Sequence, residues 1–169
     1  MTEIDFRRDL LPLKNKLFRV ALNITLDRPE AEDVVEDVLV KVWEMRHTEE
    51  MQRVVHLEAF CHTMTRNLAR DRAERKVAQH VSLDQLDTEH IDSAPRPDQI
   101  MEADDRRRWI RELFLQLPEK QRTIMQLRDI EEHSYQEIAE IMQISEADVK
   151  VTLFRARQAF KQLVLDAQK

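Results

Sequence analysis

SYQEIAEIMQISEADVK, Ser134 to Lys150, carries two helix-start signals 11 residues apart. Ser134 and Glu137 stand at capping-box spacing, and so do Ser145 and Asp148. In such a pair a side-chain oxygen accepts from an orphan N–H of the helix's first turn. The spacing predicts a short helix over about Tyr135 to Met142 and a second from Glu146 to about Leu165. Ile138, Ala139, Met142, Ile144, Val149 and Leu153 then form a small shared core, with Ala139 where the two helices must cross closely. The joint is only Gln143-Ile144 and has no glycine. A left-handed residue at Gln143 costs ~1–2 kcal/mol, which several buried apolar side chains at ~1.5–3 kcal/mol each outweigh. This geometry fits a helix-turn-helix whose second helix enters a DNA groove. A plain helical hairpin is the alternative.

The rest of the chain agrees with a helical protein. There is no glycine in 169 residues, where the average usage of ~7% would give roughly 12. Hairpins and phosphate-binding loops use glycine's left-handed freedom or close backbone approach, which argues against Rossmann and P-loop sites. Leu, Ala, Glu, Arg, Gln and Met, all good helix formers, dominate instead. The single cysteine, Cys61, cannot close an intramolecular disulfide. No signal-peptide pattern opens the sequence, and its apolar runs fall far short of a membrane span. The expected setting is the cytoplasm.

A net charge of −6 seems to oppose nucleic-acid binding. Its distribution does not. Residues 1–76 carry 14 basic and 15 acidic side chains, and residues 106–169 carry 12 basic and 10 acidic. Residues 77–105 hold only Arg96 against eight acids, so the deficit lies in the middle. Pro95 and Pro97 turn their preceding residues away from helix there. The expected organisation is an all-α chain of two small helical domains, 1–79 and 98–169, joined by an acidic linker over 80–97. An ordinary surface loop within one domain is the alternative.

In the first domain, Leu13, Leu17, Val20, Ala21 and Ile24 recur at helical spacing behind Pro12. A second helix starts at Pro29, with Glu30, Glu32 and Asp33 near its positive end. It buries Val34, Val35, Val38, Leu39 and Val42, with Trp43 at the edge. A third, about Leu57 to Lys76, aligns Leu57, Phe60, Cys61, Met64 and Leu68 and ends in a basic run. The second domain is expected to open with helices through Trp109 to Phe114 and from Glu119 to Asp129, ahead of the paired starts.

Three stretches carry a family resemblance: AEDVVEDVLVKVWE (31–44), TRNLARDRAER (65–75) and LPEKQRTIMQLRDIEEHSYQEIAEIMQISEADVKVTLFRARQAF (117–160). In this order they resemble the sigma-70 family of bacterial transcription initiation factors, specifically the extracytoplasmic-function group. Residues 10–76 look like region two and 98–165 like region four. The resemblance implies core RNA polymerase and promoter DNA as partners, and an anti-sigma factor, commonly membrane-associated among similar proteins. It implies that Asp33, Glu36, Asp37, Leu39 and Trp43 grip the polymerase; a solvated acidic face with Trp43 in the core is the bland alternative. Arg66, Asn67, Arg70, Asp71 and Arg75 fall on the helix that meets the minus-ten element, and a loop around His47 to Val55 would capture flipped bases. On the reading helix, Lys150, Val151 and Arg155 would enter the major groove at the minus-thirty-five element. Thr152 and Arg157 would hold phosphates, and Ser145 would cap first and touch DNA second.

No catalytic arrangement stands out, so the expectation is no enzyme activity, no cofactor, no metal and no small-molecule substrate. Cys61-His62 reads as a buried thiol beside a helix-surface histidine. Two rival readings remain: a symmetric helix-turn-helix regulator that binds DNA alone, and a helical adaptor without DNA contact.

Overall fold

A computed structural model describes residues 3–83 and 103–169, with backbone alone for 80–83. Most of the expected acidic linker therefore lies outside the described residues. Every regular element among the described residues is helical. The first module opens with a π-helical turn, Phe6–Leu10, and a 3-10 turn, Leu11–Leu13, which lead into α1 (Lys14–Thr25). Pro12 sits in the 3-10 turn, where its missing N–H leaves no gap.

α1 stops at Leu26, which is left-handed at φ 56°. Asp27 then caps α2 (Arg28–Glu44) by accepting from the Glu30 N–H at 3.1 Å, with Pro29 in the first turn. A short α3 (Glu49–Gln52), capped by Thr48, leads to α4 (Leu57–Leu83). The basic helix thus continues past Lys76 and into the expected start of the linker. The sequence reading missed α3, whose four residues are too few to show a period. α1, α2 and α4 pack on one another through Leu17, Val20, Ala21, Ile24, Val34, Val38 and Val42, all buried.

The second module contains α5 (Ala103–Phe114), α6 (Glu119–Met125), α7 (Tyr135–Met142) and α8 (Glu146–Ala167). Pro118 precedes α6, which ends four residues before the expected Asp129. A π-helical turn, Gln126–Ile130, takes over, closed by Glu131 N–H donating to the Gln126 carbonyl at 2.9 Å. The bounds of α7 match the sequence expectation. Ser134 and Glu137 form a reciprocal capping box, with N–H to oxygen distances of 3.1 and 2.8 Å. At α8 the cap is one-sided: Ser145 Oγ accepts from the Asp148 N–H at 3.0 Å, while the Asp148 carboxylate faces Lys120 at 3.9 Å. Gln143 takes the left-handed conformation, φ 58° and ψ 46°.

The two modules pack against each other, which the two-domain reading did not anticipate. α1 meets α6, and α4 meets α7. Asn23 donates to the buried Gln126 side chain at 2.6 Å, and Arg122 Nε donates to the Asn23 carbonyl at 3.0 Å. Thr63 donates to the Ile141 carbonyl at 3.0 Å. One apolar core runs through both modules.

Candidate nucleic-acid interface

α8 is amphipathic in the way a reading helix must be. Val149, Leu153 and Ala156 are buried at spacings of four and three residues, which turns Lys150, Val151, Phe154 and Arg155 to solvent. Phe154 is 66% exposed and Val151 45%, so apolar and cationic groups share one outward face. Lys150 Nζ lies 5.6 Å from the Tyr135 ring centroid, and the Arg128 guanidinium lies 4.6 Å from the same ring. Tyr135 of α7 thus supports Lys150 at the start of α8 and Arg128 of the π-helical turn. Thr152 is partly buried. Arg157, expected on phosphates, is held by Asp129, with Nε to Oδ2 at 3.3 Å; this pairing raises its pKa.

The basic end of α4 divides into two faces. Asn67, Asp71 and Arg75 are exposed at successive four-residue steps and form one outward stripe. Arg66 and Arg70 turn towards the second module instead. Arg66 Nε and Nη2 each donate to a Glu119 oxygen at 3.0 Å, and Arg70 Nε lies 3.4 Å from the same carboxylate. Burial pushes the Glu119 carboxyl up, but hydrogen bonds from Arg66 and Thr123 more than offset it and hold it below the usual carboxylate range. Arg66, with a side chain 11% exposed, is thereby withdrawn from solvent while the modules are packed, whereas Arg70 stays 45% exposed. Sequence reasoning missed Glu119, because an acid in a helix's first turn already suits the dipole and needs no partner.

On α2, Asp33, Glu36 and Asp37 are exposed. Arg72 of α4 lies 3.6 Å from Asp33 and 2.7 Å from Asp37 and also reaches Glu30 at 3.2 Å. Leu39, expected to face a partner, is only 6% exposed. It lines an open groove of about 710 Å³ between the N-terminal turns, α1 and α2, together with Phe6, Phe18, Glu36 and Val40. Trp43 is partly buried, edge-on to Phe6 at 5.8 Å and covered by the Arg46 guanidinium at 3.7 Å. The His47–Val55 segment contains α3, with Val55 79% exposed at its end.

Cys61 is buried, as expected, and burial pushes its thiol up to about 12. Almost no thiolate forms at about pH 8, so the folded chain should resist iodoacetamide and react only on unfolding. Rapid alkylation of the folded protein would contradict this packing. His62 differs from expectation: it is not on the helix surface but fully buried. The turn preceding α7 covers the α4 face that a single amphipathic helix leaves open.

This geometry defines a helical protein of two modules, with a helix-turn-helix in the second whose second helix presents an exposed amphipathic face. The sigma-70 region 2 family matches residues 12–79, and sigma-70 region 4 matches residues 107–160. The RNA polymerase sigma-H factor of Pseudomonas aeruginosa is 27% identical over 161 residues, covering 89% of this chain and 82% of its own. The ECF RNA polymerase sigma factor SigM of Bacillus subtilis is 27% identical over 158 residues, covering 88% of both. The fold is similar to that of the sigma factor RpoE of Bartonella quintana, solved in complex with the anti-sigma factor NepR. That match has a TM-score of 0.73 at 22% identity and covers 95% of this chain and 96% of the other. The chain belongs to the sigma-70 family, in its extracytoplasmic-function group. It is a promoter-directing transcription initiation factor and not an enzyme.

Proposed function

We propose that α8 reads the minus-thirty-five element through Lys150, Val151 and Arg155, with Ser145, Thr152 and Arg157 near the backbone. Asn67, Asp71 and Arg75 meet the minus-ten element, joined by Arg66 and Arg70 once Glu119 withdraws. Core polymerase docks on the Asp33, Glu36, Asp37 face, with Leu39 and Trp43 beneath it. Residues 1–79 and 98–169 act as the two units, and the acidic segment 80–97 as their tether inside the polymerase. The packed arrangement is the resting form, which an anti-sigma factor holds in the cytoplasm. The observation that carries this reading is the division of the basic face of α4 between solvent and Glu119.

Two measurements test it. Reversing charge at Asp33 and Asp37 together should weaken co-purification with core polymerase. The pairs with Arg72 lie at the surface on the carboxylate side, so losing them and adding like-charge repulsion costs about 1 kcal/mol each, and circular dichroism should stay unchanged. Retained core binding by the folded double variant would place the interface elsewhere. The free chain should also bind duplex DNA weakly at physiological salt, because its net charge is −6 and its basic patches are modest, while nonspecific affinity rests on neutralising phosphates. Tight sequence-specific gel shifts by the chain alone would favour a stand-alone regulator.

A further inference from the structure

We propose that Glu58 and His62 of α4 and His133 of the turn before α7 form a binding site for a divalent transition-metal ion, with zinc as the best fit, across the two modules. Ligand atoms of the three residues lie within 4.8 Å of one another. Glu58 Oε2 is 3.6 Å from His62 Nε2 and 3.2 Å from His133 Nε2. Metal–ligand bonds of ~2.0–2.2 Å at tetrahedral angles place neighbouring ligand atoms about 3.3 Å apart. Small side-chain adjustments would therefore admit an ion between them.

Burial supplies the second reason. His62 is fully buried and His133 is 7% exposed. Among the described residues, both ring nitrogens of His62 and Nε2 of His133 make no hydrogen bond of good geometry, Glu58 lying close but poorly aligned. Buried polar atoms left in that state are uncommon and costly, and a metal ion would satisfy one on each ring.

The site is held from several sides. Glu58 and His62 are one helical turn apart. The His133 backbone N–H donates to the Leu127 carbonyl, and its own carbonyl accepts from Arg128 Nη1, both at 2.9 Å. Glu137 Oε2 lies 3.6 Å from His133 Nδ1, where an outer carboxylate would orient a ligating imidazole. Lys16 Nζ sits 3.6 Å from the other Glu58 oxygen, Oε1, and leaves Oε2 to the ion. Three protein ligands leave a fourth position for water. Because the ligands come from both modules, the ion binds the packed arrangement and staples it. The effect of that staple on promoter use rests on the resting form proposed above.

The test uses the full chain with any affinity tag removed, zinc uptake measured by elemental analysis after gel filtration, and cobalt(II) as a spectroscopic stand-in. One equivalent of zinc should be retained, with visible cobalt bands of tetrahedral type. Glu58→Gln and His133→Gln should each weaken binding beyond the roughly 10–100-fold that losing an outer partner costs, with helicity intact. No stoichiometric zinc, octahedral cobalt bands in the unaltered chain, or equal affinity in both folded variants would overturn the site. Neither polymerase nor promoter is present, so failure here leaves the transcriptional reading untouched.

Discussion

A chain carrying Glu119→Arg and Glu131→Arg together is expected to part its two modules. Glu119 takes both donors of Arg66 at 3.0 Å, and Glu131 takes those of Arg19 at 2.6 and 2.7 Å. Removing one partner of a fully buried pair costs about 3–5 kcal/mol. The loss is smaller here, since the Arg19 side chain is 46% exposed, but reversal adds repulsion between like charges. Thr123 also loses Glu119, which accepts its hydroxyl at 2.7 Å. Among the described residues, the direct bonds of Asn23, Arg122 and Thr63, the His56–Glu140 contact at 2.9 Å, the Glu58–His133 contact at 3.2 Å and the apolar contact would remain to hold the modules. The radius of gyration should rise well above the ~15 Å of a compact chain of this length. An unchanged radius would mean that the remaining hydrogen bonds and the apolar contact hold the modules together without these two carboxylates.

Acid should act in the same direction on the unaltered chain. For both Glu119 and Glu131, burial raises the carboxyl pKa and the arginine bonds more than offset it, leaving a net lowering. Such groups contribute fully above the unfolded carboxylate value and lose their contribution as pH falls through the lowered folded value. The packed form should therefore loosen on acidification, and the double variant should lack this component of the response.

The second large effect separates reading from folding on α8. Leu153 is 2% exposed within the core, so Leu153→Ala should cost ~2–5 kcal/mol through a cavity. Lys150 and Arg155 point outward, and their replacement by alanine should stay near the surface norm of about ±0.5 kcal/mol. A lost base contact would still cost ~1–3 kcal/mol in recognition and relax preference at one or two minus-thirty-five positions. Thermal unfolding beside transcription from mutated upstream elements measures both effects. Should Lys150→Ala and Arg155→Ala leave every preference intact, α8 does not read DNA through these residues.

The helix-turn-helix was legible because it is local. The cap of Ser134, the spacing to Ser145 and the stripe of Val149, Leu153 and Ala156 all act within a few turns, so a linear reading finds them. The left-handed Gln143 was also anticipated, since a corner without glycine has to place some residue there. Contacts between distant segments were not legible. Arg66 and Glu119 are 53 positions apart, and neither breaks a local rule that would announce the other. His62 looked like a surface histidine because α4 alone leaves that face open; only the packing of His133 buries it. Leu39 kept its apolar period and proved to be core, and α3 was too short for any period to register.

The central claim is promoter-directed initiation, and run-off transcription on a library of upstream sequences tests it most directly. Purified core polymerase is assayed with and without this chain. The factor should produce discrete transcripts from templates sharing two elements, one near minus ten and one near minus thirty-five, and core alone should not. Transcription that is unchanged by the added chain, while the chain is folded and bound to core, would contradict it.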